Sequence, residues 1–143
     1  MKVSKNTGII YILLSVLVTI AIIEPQGNKA EANQFKTHCM NKLMYSQNRR
    51  RSEISESAAN VACQNVTTVE QSAAISACVK DVMYSSSNKI RVNMTANIAI
   101  AACQNATDNI SGQRISKCMK TTMYNRGRLR EGVTPQQAIS KCN

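Results

Sequence analysis

The chain has 143 residues, 43% hydrophobic and only 3% aromatic, with one Phe, no Trp and a formal net charge of +10 at pH 7. That length suits one small domain, and a core of Ala, Val, Ile and Met without large rings is marginal unless something staples it. One histidine, eight carboxylates, no Gly-rich phosphate loop, no zinc-ligand spacing, no Gly-x-Ser-x-Gly elbow and no Cys-x-x-Cys pair argue against an enzyme.

At the N-terminus Lys2 and Lys5 precede an apolar run from Ile9 to Ile23, followed by Glu24, Pro25 and Gly27 and then by the small-x-small triplet Ala30-Glu31-Ala32. Residues 1–32 are therefore expected to be a secretory signal peptide cut after Ala32. The alternative is a retained anchor, against which the run of about 15 residues is short of the ~20 that span a bilayer. Cutting there removes Lys2, Lys5, Lys29, Glu24 and Glu31, leaving 15 basic and 6 acidic residues and a net charge of +9 on residues 33–143.

Those residues hold six cysteines, at 39, 63, 78, 103, 118 and 142, separated by 24, 15, 25, 15 and 24 positions. The alternation divides residues 33–143 into three copies of one unit, 39–63, 78–103 and 118–142, each opening Cys-x4-Met-Tyr. Export makes an even cysteine count interpretable as disulfides. Six cysteines allow 15 pairings, and spacing does not decide among them. The repeat favours pairing within units, Cys39 with Cys63, Cys78 with Cys103 and Cys118 with Cys142. Pairing across the short gaps would instead force Cys39 onto Cys142.

Each unit reads as two short helices joined by a basic loop. The opening helices carry their cysteine on an apolar face with Ile75 and Val82, or with Ile115, at helical spacing, and Thr68 and Asp108 are candidate N-caps for the second and third. Loops are expected over Ser46 to Ile54, Ser85 to Met94 and Asn125 to Val133. Eight residues before each closing cysteine stand Ser55, Thr95 and Thr134, whose hydroxyls can accept an orphan backbone N–H. Ile54, Met94 and Val133 precede them and Ala59, Ala99 and Ala138 follow at hydrophobic-staple spacing, and Thr134-Pro135-Gln136-Gln137 has the form of a capping box with Pro at N1. The run Gln104-Asn105-Ala106-Thr107-Asp108-Asn109 favours a turn over a continuous helix. The expectation is an all-α fold of six helices of about ten residues, three disulfide-stapled hairpins that stack as a small repeat domain or bundle because one hairpin cannot bury its apolar face alone.

The hairpin loops carry the candidate site. Arg51, Arg91 and Arg130 stand four residues before the caps, with Arg49, Arg50, Lys89, Arg126 and Arg128 beside them. Stacked in register, these residues would form a positive stripe able to hold carboxylates or phosphates by bidentate arginine contacts. The competing role for the recurring arginines is structural, each bonding the carbonyls that end its own first helix or lying on the repeat tyrosine as a cation–π pair. Tyr45, Tyr84 and Tyr124 recur six residues after the opening cysteines and suit rings that close the hairpin core better than a base-stacking platform.

His38-Cys39-Met40 with Met44, echoed by Cys118-Met119 and Met123, has the soft donor set of a Cu(I) site, but oxidised cysteines do not ligate as thiolates and core filling suits the methionines better. No metal and no cofactor is expected. Sequons at Asn65, Asn93, Asn105 and Asn109 carry little information in a chain rich in Asn, Ser and Thr.

The pattern Cys-x4-Met-Tyr, Arg-x3-Ser/Thr, Ala-x3-Cys, sharpest over Arg130–Cys142, resembles cysteine-paired helical-hairpin repeats of exported cyanobacterial-type proteins. The resemblance covers residues 39–142 and implies export and hairpin architecture. It transfers no site residues and no activity. The expected function is non-enzymatic: a secreted or periplasmic binding or structural protein presenting basic loops to an anionic envelope polymer, an anionic membrane surface or an acidic protein, with nucleic acid disfavoured by export. The alternative is a secreted membrane-active effector or antimicrobial protein, which needs an exposed apolar face beside the basic one.

Overall fold

The computed structural model describes residues 27–143, so the apolar run Ile9–Ile23 lies outside the described residues. Its helices follow one another in three pairs: α1 (Gly27–Met44) with α2 (Glu56–Cys63), α3 (Val69–Met83) with α4 (Ala96–Cys103), and α5 (Asn109–Met123) with α6 (Pro135–Cys142). The fold is all-α and disulfide-stapled. Each pair is joined by its own bridge, Cys39–Cys63, Cys78–Cys103 and Cys118–Cys142, with Cα–Cα distances of 5.8, 5.7 and 5.6 Å. Three bridges point to an oxidising compartment, where such bonds form and persist.

The caps decide where the helices begin. Ser55, Thr95 and Thr134 each accept the backbone N–H three residues on, starting α2, α4 and α6, and Thr134 with Gln137 forms the full capping box. Thr68 and Asp108 do the same for α3 and α5. Between a closing cysteine and the next cap the chain turns in four residues, tucking Val66 or Ala106 into the core while the cysteine carbonyl accepts its N–H.

The helices are unequal rather than all near ten residues: α3 and α5 have 15 residues, whereas α2, α4 and α6 have 8. The long ones continue for one more turn after the cysteine because Val79, Val82 and Met83, or Met119 and Met123, keep the apolar face going until the tyrosine. The short ones start at a cap fixed by the preceding turn and end at their disulfide.

The pairs stack in two layers. The long helices form one, with α5 lying on α3, and α3 tied to α1 by the Ser76 hydroxyl donating to the Lys42 carbonyl at 3.3 Å. The short helices form the other, with α4 between α2 and α6. Gly112 permits the close approach of α5 to α3: a Cβ there would stand 3.1 Å from the Ala74 carbonyl oxygen and 3.6 Å from Cys78 Cβ. The core between the layers is the buried set of Leu43, Ile54, Ile75, Val79, Met119 and Met123 with small alanines, and it includes both cysteines of the first two bridges. The third bridge, at the last pair, is only half-buried.

The loops hold short antiparallel ladders that periodicity does not announce. β1 (Tyr45–Ser46) pairs with β2 (Arg49–Arg50), and β3 (Tyr124–Asn125) with β4 (Arg128–Leu129). The two residues between the strands have positive φ in both cases, Gln47 and Asn48 at 50° and 62°, Arg126 and Gly127 at 49° and 80°, the left-handed pair that a two-residue hairpin turn requires. In the second unit Tyr84 bridges to Ile90 and Ser85 to Lys89, so three residues span the turn and only Asn88 is left-handed, at 57°. That extra turn residue is the physical origin of the 25 among the 24s.

Candidate functional site

The recurring arginines and tyrosines are positioned by the turns. In each unit the arginine N–H donates to the carbonyl of the methionine that ends the long helix: Arg51 to Met44 at 2.7 Å, Arg91 to Met83 at 2.8 Å and Arg130 to Met123 at 2.8 Å. This closes the loop at its base and fixes where the guanidinium leaves the backbone.

The arginine side chains play the structural role, with one difference from the intra-hairpin packing a recurring position suggests. Arg51 does donate to a carbonyl ending its own first helix, Leu43, at 3.2 Å, and Arg130 donates through Nε to the Tyr124 carbonyl at 3.4 Å. The cation–π partners, however, belong to the next unit: Arg51 lies 5.9 Å from the Tyr84 ring centre and Arg91 5.6 Å from that of Tyr124. The Tyr124 hydroxyl also reaches back, donating to the Val92 carbonyl at 2.8 Å. Tyr84 and Tyr124 thus seal the joints between units rather than the core of one. Burial pushes the Tyr84 and Tyr124 phenols up, Glu53 adding to the effect at Tyr84, while the facing Arg51 and Arg91 pull the other way.

Stacking brings the three loops to one edge of the molecule. Arg49, Arg50, Lys89, Arg126, Arg128 and Arg130 are exposed there, while Arg51 and Arg91 are half-buried under their tyrosine contacts. Between the first and second loops lies an open cleft of about 350 Å³ lined by Arg49, Arg50, Arg51, Lys80 and Tyr84, with Glu53 as its one carboxylate. A second, of about 360 Å³, lies between α3 and the second loop on one side and α5 on the other. Its charged lining is Lys80, Arg91 and Lys120 with Asp81. Lys80, Tyr84 and Asn88 line both, so the two run together as one groove of net positive charge.

Lys80 and Lys120 escape a reading that looks only at loops. Both stand two residues after an opening cysteine, which places them one helical turn before the tyrosine on the same face. Lys120 also holds the second joint, bonding Asp81 at 2.6 Å while the Ser116 hydroxyl donates to the same carboxylate at 2.8 Å. Burial alone would raise the Asp81 carboxyl. The hydrogen bonds from Lys120 and Ser116, with the charges of Lys120 and Arg91, outweigh it and hold the group below its ordinary value.

The six cysteines are all bonded, so none offers a thiolate, and Met44, Met119 and Met123 are core residues. Among the described residues no group of three or more His, Cys, Asp and Glu side chains is placed to hold a metal ion, and no helix is long and apolar enough to cross a membrane. The sequons Asn65 and Asn105 fall on the four-residue turns and Asn93 in the second loop, all exposed. Comparison of the chain with family models, with characterised proteins and with solved structures returns no match.

Proposed function

We propose that this is an exported, non-enzymatic binding protein that presents the basic loop edge of its helical stack to an anionic envelope polymer. The supporting observation is the cationic groove shared by successive loops, with exposed Arg49 and Arg50 at one end and Arg126 and Arg128 on the loop beyond it. Repetition gives such an edge several weak contacts to one long partner, which suits a polyanion better than a small ligand. The groove is open and polar, unlike the enclosed apolar pockets that hold small molecules. Export rests on the signal-like segment 1–32 together with the oxidised cysteines.

The test is binding of the exported protein to dextran sulfate, with Arg49, Arg50, Arg126 and Arg128 changed together to Gln. All four are exposed, so the fold is expected to survive. Binding should weaken steeply with added salt. At about 1 kcal/mol per cation near an anionic surface, the variant should lose on the order of a thousandfold in affinity. Binding that ignores both salt and the four substitutions would end the proposal.

A second reading, action on anionic membranes, draws on Ile90 and Val92. Both are exposed, Val92 at 66%, and they alternate with Lys89 and Arg91 on the same edge. Leakage from phosphatidylglycerol vesicles, abolished by Ile90→Ser with Val92→Ser, would favour it; binding to such vesicles without leakage would favour the first.

A further inference from the structure

The joints between units follow one rule, an arginine of each unit over the tyrosine of the next. Applied to three units, the rule leaves one tyrosine and one arginine over. Tyr45 has no arginine on its ring and is 42% exposed, against 7% for Tyr124 at the same position of the last unit. Arg130 is exposed and, among the described residues, has no tyrosine beneath it. The rest of each end face matches this pattern. On the first long helix Asn33 and Thr37 stand at the positions of Ser72 and Ser76 in α3 and of Gly112 and Ser116 in α5, which are buried or half-buried, yet both are exposed, and Asn41 stands at that of Lys120, which bonds Asp81 across its joint. On the last, Arg114 and Thr121 stand where Ala74 and Asp81 receive the following unit, and the Cys118–Cys142 bridge is half-uncovered.

We propose that a second copy of this chain docks end to end, the Tyr45 face of one copy seated under Arg130 of another, so that the joint between successive units is repeated between molecules. The faces are compatible in charge. The side chains of Asn33, Thr37, Asn41 and Tyr45 are uncharged, whereas the face they would meet is cationic through Arg114 and Arg130, so no like-charged side chains oppose each other at the seam. The two faces are different surfaces of the molecule, which makes the contact heterologous, and its repetition yields open chains rather than closed pairs. Because the seam is polar, the single molecule is soluble and the association reversible. The overall charge of each copy opposes it, so association should strengthen as salt screens that repulsion.

The test is sedimentation velocity of the exported protein across a range of concentrations, in low and high sodium chloride. The native protein is expected to show a sedimentation coefficient that rises with concentration, more strongly in high salt. Tyr45→Ala and Arg130→Ala, both at exposed sites, should each weaken the junction roughly five- to thirtyfold. The two variants mixed should recover one productive junction, the Arg130 retained in one meeting the Tyr45 retained in the other, and so form heterodimers without longer chains. That rescue separates end-to-end docking from any loss of fold. A monomer at every concentration in both salts, single variants that associate as the native protein does, or a mixture that fails to pair would each overturn the proposal.

Discussion

Removing the staples one at a time separates chain entropy from packing, because the three bridges close loops of nearly equal length. Sequence separations of 24, 25 and 24 give almost identical loop-closure contributions, about 3.5 kcal/mol each. Their surroundings differ. Cys39, Cys63, Cys78 and Cys103 are essentially inaccessible, whereas Cys118 and Cys142 are half-buried. Replacing both cysteines of a bridge by Ala therefore removes two well-packed sulfurs in the first and second units, about 1 kcal/mol apiece, and much less in the third. The expected loss is about 5.5 kcal/mol for Cys39→Ala/Cys63→Ala or Cys78→Ala/Cys103→Ala, and about 3.5 kcal/mol for Cys118→Ala/Cys142→Ala. Urea unfolding read by far-ultraviolet circular dichroism measures the differences, and amide exchange should show the third variant opening first at α6, where Ala138 is the one fully buried residue. Three equal losses, or a third variant less stable than the others, would refute the claim that burial of the sulfurs separates the units.

Two further outcomes follow from the joint between α3 and α5. The Asp81 carboxyl is held low, so its contribution is present above its unfolded value of about 3.9 and disappears as the pH falls through the lower folded value. Asp81→Asn should cost about 0.5–1 kcal/mol near neutrality and converge with the native protein in acid unfolding below about pH 3. Gly112→Ala should fail to yield the ~1 kcal/mol that helix propensity ordinarily adds, since the new Cβ meets a helix carbonyl that cannot easily give way. Thermal unfolding that rises for this variant would count against the close approach.

Local chemistry explains what was legible in the amino-acid order. Ser55, Thr68, Thr95, Asp108 and Thr134 mark helix starts because a cap needs only a short acceptor side chain and three following residues. The disulfide pairing followed from asking three copies of one unit to be stapled alike. The arginine–tyrosine contacts were not legible, and the reason is general: a residue that recurs once per unit keeps the same phase whether it touches its own unit or the next. Only stacking distinguishes Tyr45 from Tyr84 as the partner of Arg51. The loop ladders escaped for another reason. Two-residue strands are too short to alternate, and of the turn residues Gln47, Asn48, Arg126 and Gly127 only Asn48 and Gly127 are of the types that favour positive φ.

The turn of the second unit takes an additional residue without disturbing what it connects: Arg91 still reaches the Met83 carbonyl at 2.8 Å, the distance Arg130 keeps from Met123 one unit on. Length variation is thus absorbed beyond that closing bond and never reaches the helices. A molecule built in this way has a framework and a margin that answer to different pressures. The framework is held by caps, sulfurs and small residues that tolerate little change, while the margin can lengthen, shorten or exchange its side chains with the framework standing. Grafted peptides of modest length placed between Ser85 and Lys89 should be carried without loss of fold, which would make the protein a small oxidised scaffold for displaying sequences of choice.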